Sequence, residues 1–154
     1  MNYGPSPLCE EVLKIMGRHD PMPTIVYFDP KLCITDREER LIRVFMEEYD
    51  LMEIRFLQYM YEPDLSPPAN HDFNGFGHHM HFRKKSDYLL IHETAHAWQH
   101  AKGLLQSSTI GYIHHGKFFG YEEARRTPWA KRPWEIEADE VTNRFLHEND
   151  LSQV

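Results

Sequence analysis

Three residues near the middle of the chain have the types and the spacing of a hydrolytic metal centre. They lie in the stretch LLIHETAHAWQH, residues 89–100, where His92 and His96 stand four apart and Glu93 directly follows the first. On a helix, residues i and i+4 project side by side, so both imidazoles can bind one zinc ion. Glu93 is rotated from His92 by about 100°. It can therefore act as general base on a metal-activated water.

A chain with 11 histidines can contain this spacing by chance. The flanking residues therefore have to show whether the histidines form a metal site. A helical wheel shows two apolar flanks, one formed by Tyr88, Ile91, Ala95 and Trp98 and the other by Leu90, Ala97 and Ala101. A helix with two apolar flanks is buried between layers. The histidines between the flanks then need polar partners, and a metal ion supplies one to both rings. His100 lies one turn further along the same helix and is expected outside the ligand set.

The third ligand has two candidates, because a catalytic zinc takes three protein ligands and leaves one position for water. They are Glu135 in WEIEADEV and His115 in HHGKFF. On a helix over residues 133–147, Glu135 and Asp139 share the apolar side, whereas Glu137 faces the solvent. An inward carboxylate costs free energy unless it is paired or ligated. Glu135 is thus suited to the metal and Asp139 to the Nδ1–H of a ligand histidine, and His115 stays open as the alternative.

HETAH followed by EIEAD resembles the gluzincin pattern, HExxH then ExxAD, of the thermolysin-like clan and of the small minigluzincin and ImmA/IrrE-type peptidases. The resemblance covers the two motif-bearing helices. It implies functional residues at the matching positions: the zinc ligands His92, His96 and Glu135, the catalytic base Glu93, the small packing residue Ala138 and the His92 partner Asp139.

HETAHAWQHAKG followed by HGKFF is similar to a second family, the SprT-like metalloproteases, in which the histidine of an HGxxF segment is the third zinc ligand. That similarity implies His115 as the ligand. The chain departs from this family because no cysteine zinc ribbon follows and because its formal net charge is -7. Both resemblances imply a one-zinc metallopeptidase that cleaves a protein or peptide substrate with a water nucleophile. A non-catalytic module that binds metal for stability or partner recognition is the alternative, and a fourth protein ligand would then close the site.

The oxyanion of the reaction needs a stabilising group that faces the zinc from outside the ligand set. Tyr112, His114, His115 and Tyr121 lie between the two motifs in sequence and could supply it. With Glu135 as ligand, His114 or His115 is the first choice. A further histidine group could line the cleft from an edge strand, although such groups are more often exposed to solvent; its members are His71, His78, His79 and His81.

Composition places these motifs in an ordinary globular chain. The 154 residues are 41% hydrophobic and 27% charged, which predicts one domain over residues 1–154. No apolar run approaches the ~20 residues of a membrane span, and the first residues lack signal-peptide features, so we expect a cytoplasmic protein without a membrane partner. The acidic charge argues against a nucleic-acid partner. Cys9 and Cys33 are predicted to be buried free thiols.

The elements that must position the motifs follow from caps and periodicity. Strands are predicted at 24–28, 52–61 and 78–83, the last as an edge strand, with a loop at 62–70 and a short helix within 5–18. Longer helices should begin after Thr35, with Glu38 completing a capping box, after Ser86, and at Pro133, the last two ending at Gly103 and about His147. This order predicts an α+β domain. The gluzincin resemblance implies that the domain is zincin-like, with a short mixed sheet and with the HExxH helix packed against the C-terminal ligand-bearing helix.

Overall fold

A computed structural model describes residues 24–51, 56–74 and 77–149. Its strands are β1 (Ile25–Phe28), β2 (Phe56–Tyr61), β3 (Ala69–Asn74), β4 (Gly77–Phe82), β5 (Leu105–Ser107), β6 (Gly111–His114) and β7 (Lys117–Gly120). Its α-helices are α1 (Asp36–Glu48), α2 (Asp87–Ala101), α3 (Tyr121–Arg126) and α4 (Pro133–Glu148), with 3-10 turns at Pro30–Leu32 and Trp129–Lys131. The predicted α+β class and the mixed sheet are confirmed. The helix predicted within 5–18, Cys9 and the first residues of the strand predicted at 52–61 lie outside the described residues.

The larger sheet has the strand order β1-β2-β4-β3. Strands β1 and β4 run parallel to β2, whereas β3 runs antiparallel to β4. The prediction of β4 as an edge strand is wrong, because β3 pairs along its whole length and covers that edge. The loop predicted at 62–70 also ends too late, since Ala69 and Asn70 belong to β3. The polar sequence ANHDFN gives little strand signal, and pairing with β4 determines its conformation.

The predicted helix starts are confirmed by their caps. Thr35 Oγ1 accepts a hydrogen bond from the Glu38 backbone N–H at 3.1 Å, and Glu38 Oε1 accepts one from the Thr35 N–H at 2.9 Å. Ser86 Oγ accepts from the Leu89 N–H at 3.1 Å and begins α2. Gly103 follows the end of α2 with φ of +70°, a conformation that costs glycine little. These local signals fix where α1 begins and where α2 begins and ends.

Helix α2 is the buried centre of the fold, as its two apolar flanks predict. Residues Leu90 to Ala97 are all buried, and so is Gln99. The helix packs against α4, α1 and β3. The Tyr59 hydroxyl lies 2.6 Å from Thr94 Oγ1 and links α2 to the sheet. Among the described residues, no helix is both long and apolar enough to cross a membrane.

The segment between α2 and α4 forms a second, antiparallel sheet in the order β5-β6-β7. Trp134 in the first turn of α4 is buried against this sheet, with ring centroids 5.0 Å from Tyr112 and 5.4 Å from Phe119. Helix α4 is therefore held between α2 on one side and the smaller sheet on the other.

Cys33 corrects the prediction of buried thiols. It is exposed, and it closes the 3-10 turn at Pro30–Leu32 in a left-handed conformation with φ of +52°. Turns lie mostly at the protein surface, so the side chain of a residue that ends a turn does not pack in the core.

Candidate metal centre

His92, His96 and Glu135 meet between α2 and α4, and we call them the interhelical cluster. Glu135 Oε2 lies 3.3 Å from His92 Nε2, and Glu135 Oε1 lies 2.7 Å from His96 Nε2. The two imidazole centroids are 4.8 Å apart at an angle of 88°. The three side chains are only 3–7% exposed. One turn of α2 separates the histidines, and Pro133 places Glu135 in the first turn of α4, so helix geometry builds the cluster.

The contacts of both ring nitrogens of His96 favour its charged imidazolium form. Its Nδ1 lies 2.7 Å from Gln99 Oε1, and its Nε2 faces the Glu135 carboxylate. Both oxygens can only accept, so both ring nitrogens carry protons. Burial opposes this charge, but the hydrogen bond to Glu135 and the nearby carboxylates outweigh it and raise the pKa of His96 to about 9. Burial likewise opposes ionisation of Glu135, yet bonds to His92 and His96 lower its pKa to about 2.

Glu93 lies beside this cluster as a buried carboxylate. It is 3% exposed, and its Oε2 has no hydrogen-bond partner among the described residues. Burial raises the pKa of Glu93 to about 7, against the opposing effect of the charge on His96. His92, Glu93 and His96 offer ligand atoms that all lie within 4.8 Å of one another. A cation fits this donor set, because it can replace the proton on His96 Nε2 and compensate two buried carboxylates.

The far side of the His92 ring has two partners. The Tyr88 hydroxyl lies 3.2 Å from His92 Nδ1, and Asp139 Oδ1 lies 3.3 Å from the same nitrogen. The contact with Asp139 is a close approach without hydrogen-bond alignment, since Oδ1 has no hydrogen-bond partner among the described residues. The structure thus places Asp139 beside His92, where the sequence predicts it. Tyr88 was missed, although its position four residues before His92 on α2 points to the contact.

Gln99 is a second residue that the sequence analysis missed. It is fully buried, and its Nε2 donates to the Trp134 carbonyl at 2.9 Å and to Glu137 Oε1 at 2.8 Å. These acceptors orient the amide so that Oε1 faces His96. Gln99 stands three residues after His96, the spacing at which helical side chains meet.

Glu137 corrects the prediction of a solvent-facing carboxylate. Its side chain is 22% exposed and contacts both histidines at the end of β6. His115 Nε2 lies 2.5 Å from Glu137 Oε2, and His114 Nε2 lies 3.1 Å from Oε1. We call these three residues the hairpin cluster, and they too could hold a metal ion. The helical pattern of the sequence identifies only the apolar side of α4. The smaller sheet covers the side that carries Glu137, so this carboxylate is not solvent-facing.

The two candidates for the third ligand therefore lie in different surroundings. The Glu135 carboxylate contacts both His92 and His96, whereas the His115 ring contacts Glu137 and is half exposed. His114, the other histidine predicted near the oxyanion, also contacts Glu137.

Two cavities meet at Glu93 and Trp129, because both residues line each of them. The larger, of about 380 Å³, is also lined by His96, Glu135 and the predicted oxyanion candidates Tyr112 and Tyr121. The smaller, of about 310 Å³, has a mainly apolar wall formed by Pro67, Pro68, Ala69, Tyr88 and Leu89 and includes His92. The Tyr121 hydroxyl donates to the Ser108 carbonyl, and burial raises the pKa of Tyr112. The interhelical cluster thus borders an open cleft.

The histidines of β3 and β4 are not the solvent-exposed group that is usual for such a cluster. His78 is 3% exposed, and its Nδ1 lies 2.8 Å from His71 Nε2. His71 and His100 line the larger cavity with ring centroids 5.0 Å apart. His79 and His81 are partly buried. The interior position of β4 explains the burial of His78. Burial lowers the pKa of His78, and that of His100 on α2, to about 4, so both rings are neutral at pH 7.

No protein-family model, curated protein or solved structure matches the chain. The residues and their geometry are therefore what supports a function.

Proposed function

We propose that the protein is a zinc-dependent metallopeptidase of zincin-like architecture that hydrolyses peptide bonds in a protein or peptide substrate. His92, His96 and Glu135 are the proposed zinc ligands, and Glu93 is the proposed general base. The observation that supports this most is the contact of one buried carboxylate with two imidazole Nε2 atoms, next to a second buried carboxylate with an unpartnered oxygen. This donor set is typical of a catalytic zinc, which takes three protein ligands.

The reaction requires a proton acceptor next to the attacking water. When bound, zinc supplies a Lewis acid that polarises the peptide carbonyl and lowers the pKa of water. Glu93 accepts the proton of the attacking water and later passes it to the leaving amine. Its buried position strengthens electrostatic interactions in the site.

The neighbouring side chains orient the proposed ligands and the substrate. Gln99 holds the His96 ring through Nδ1, and Tyr88 and Asp139 approach Nδ1 of His92. Such outer partners fix the ring orientation of metal-binding histidines. Tyr112 lines the cavity that contains Glu93 and is the candidate that can donate to the oxyanion from outside the ligand set.

A non-catalytic metal module is a second candidate, because Glu93 itself offers an oxygen within 4.8 Å of the ligand atoms of His92 and His96. If Glu93 binds the metal, four protein ligands close the site, which is the pattern of a structural zinc. The two functions therefore assign different roles to the same carboxylate.

Glu93→Gln separates these functions. The purified protein and the variant are compared by metal analysis and by digestion of a peptide library, with and without a chelator. We expect unchanged zinc content and a loss of proteolysis of at least ~10²-fold, the usual effect of a general base. Glu140→Gln, an exposed glutamate on α4, is the matched control and should keep full activity. Retained proteolysis in Glu93→Gln contradicts the catalytic role, and loss of zinc supports the structural module.

A further inference from the structure

The hairpin cluster repeats the geometry of the interhelical cluster at a second place on α4. Its two imidazole centroids are 4.4 Å apart at an angle of 85°, and each ring presents Nε2 to a different oxygen of Glu137. We infer that His114, His115 and Glu137 form a second site for a divalent transition metal, which zinc can occupy. Two imidazole nitrogens and one carboxylate oxygen suit such ions. The site lies outside the proposed ligand set of the reaction centre.

The backbone brings the two adjacent histidines to one side. Successive residues of a strand point to opposite faces, so neighbouring histidines in β6 could not share one carboxylate. His115, however, lies in a two-residue turn, because His114 pairs with Lys117 across the hairpin. His115 has φ of +48° and Gly116 has φ of +81°, the signature of a type I′ turn. Asparagine is the usual residue at the first of these positions, and histidine there adds a ligand atom instead.

One side of this cluster faces the solvent. His114 is buried, whereas half of the His115 side chain is exposed. An ion held by three protein atoms here can complete its shell with water. The bound ion would tie the tip of the β6–β7 hairpin to α4. It would do so at the carboxylate that also accepts a hydrogen bond from Gln99.

Gln99 connects the two clusters directly. Its amide nitrogen donates to Glu137, and its amide oxygen faces Nδ1 of His96. A metal ion on Glu137 would restrain the carboxylate and, through Gln99, the ring of His96. The second site would therefore stabilise the geometry of the first without taking part in its chemistry.

His115→Asn tests the second site while it keeps the turn, because asparagine favours positive φ at this position. Protein is dialysed against zinc, and bound zinc is measured by elemental analysis and by isothermal titration. We expect two zinc ions per wild-type chain and one in His115→Asn, with affinity for the lost ion reduced by more than ~100-fold, since loss of an outer partner alone costs 10–100-fold. The control His147→Asn removes an exposed histidine of α4 and should still bind two.

Glu135→Ala distinguishes failure of this site from failure of the proposed reaction centre. It should lose the interhelical zinc and keep the zinc that His115→Asn loses. The inference is overturned if His115→Asn binds as much zinc as the wild type, or if the wild type binds no zinc beyond what Glu135→Ala loses. Circular dichroism shows whether each variant is folded. Should His115→Asn unfold, His114→Gln provides a second test of the same site by the same measurements.

Discussion

The interhelical and hairpin clusters combine the same side chains, two histidines and one glutamate, in two backbone settings. In the first, the histidines stand one helical turn apart on α2, and the three side chains are almost fully buried. In the second, the histidines are adjacent at a turn, and one ring is half exposed. Burial is thus the first difference. Against the effect of burial, the hydrogen bonds and opposite charges within the first cluster raise the pKa of His96 to about 9 and lower that of Glu135 to about 2.

The second difference is the neighbour at each cluster. Glu93 follows His92 on the same helix and faces the cleft that the interhelical cluster borders. At the hairpin, Gly116 and Lys117 follow the histidines, and neither supplies a carboxylate. A ligand set alone therefore allows metal binding, whereas hydrolysis also needs a base and room for a substrate. Under the proposed function, the additional carboxylate of Glu93 is therefore what distinguishes the interhelical cluster from a site that only binds metal.

The largest expected effect contrasts Glu135→Ala with Glu137→Ala. Glu135→Ala should abolish proteolysis and zinc binding at the interhelical cluster, because two histidines then remain as its ligands. Glu137→Ala should keep that zinc and lose the ion of the hairpin. Zinc titration followed by peptide-digestion assays measures both. In the reverse pattern, the catalytic zinc would be lost in Glu137→Ala or in His115→Asn and kept in Glu135→Ala. This result would show that His115, and not Glu135, is the third ligand of the catalytic zinc.

Gln99→Leu tests the connection between the clusters. Gln99 is fully buried, and its loss leaves His96 Nδ1 without its partner. The Trp134 carbonyl and the Glu137 carboxylate likewise lose the amide that donates to them. We expect the free energy of unfolding to fall by about 3 kcal/mol, since buried groups are left without partners. Gln106→Leu, at an exposed glutamine of β5, is the control and should change stability by less than about 0.5 kcal/mol. Urea unfolding measures both, and equal stabilities of the two variants would contradict the role of Gln99.

Asp139→Asn and Tyr88→Phe decide which partner orients His92. Asp139 is half exposed and approaches His92 without hydrogen-bond alignment, whereas the Tyr88 hydroxyl makes a hydrogen bond with His92 Nδ1. The carboxylate is the stronger acceptor for a metal-binding imidazole, so Asp139→Asn should weaken zinc binding at the interhelical cluster by about 10–100-fold. Tyr88→Phe should weaken it by less. Competition with a chromophoric chelator measures these affinities, and the opposite order would assign the role to Tyr88.

The sequence predicted those parts of the site that depend on local spacing. Short-range rules place these features, because each depends on residues only a few positions apart. They are the i, i+4 histidines, the caps at Thr35 and Ser86, and Pro133 at the start of α4. The position of β4 depends instead on pairing with β3, whose polar residues carry little strand signal.

The surroundings of Glu137 were missed for a similar reason. A helical wheel shows the sides of α4 but not the second sheet that packs on one of them, since that contact joins residues more than 20 positions apart in the chain. The hairpin cluster is thus a product of tertiary structure, whereas the interhelical histidines are visible in a single motif.

The smallest expected effect compares two glycines with left-handed backbones, Gly116 in the hairpin and Gly103 after α2. Their φ angles are +81° and +70°, and a Cβ added at either would meet no atom within 4 Å. Gly116→Ala and Gly103→Ala should therefore each lower the free energy of unfolding by about 1 kcal/mol, the conformational cost of a left-handed alanine. Gly116→Ala should in addition weaken zinc binding at the hairpin cluster, because the alanine strains the turn that aligns His115. Thermal unfolding with and without zinc measures both effects. If the zinc-dependent stabilisation is equal in the two variants, the turn does not build the second site.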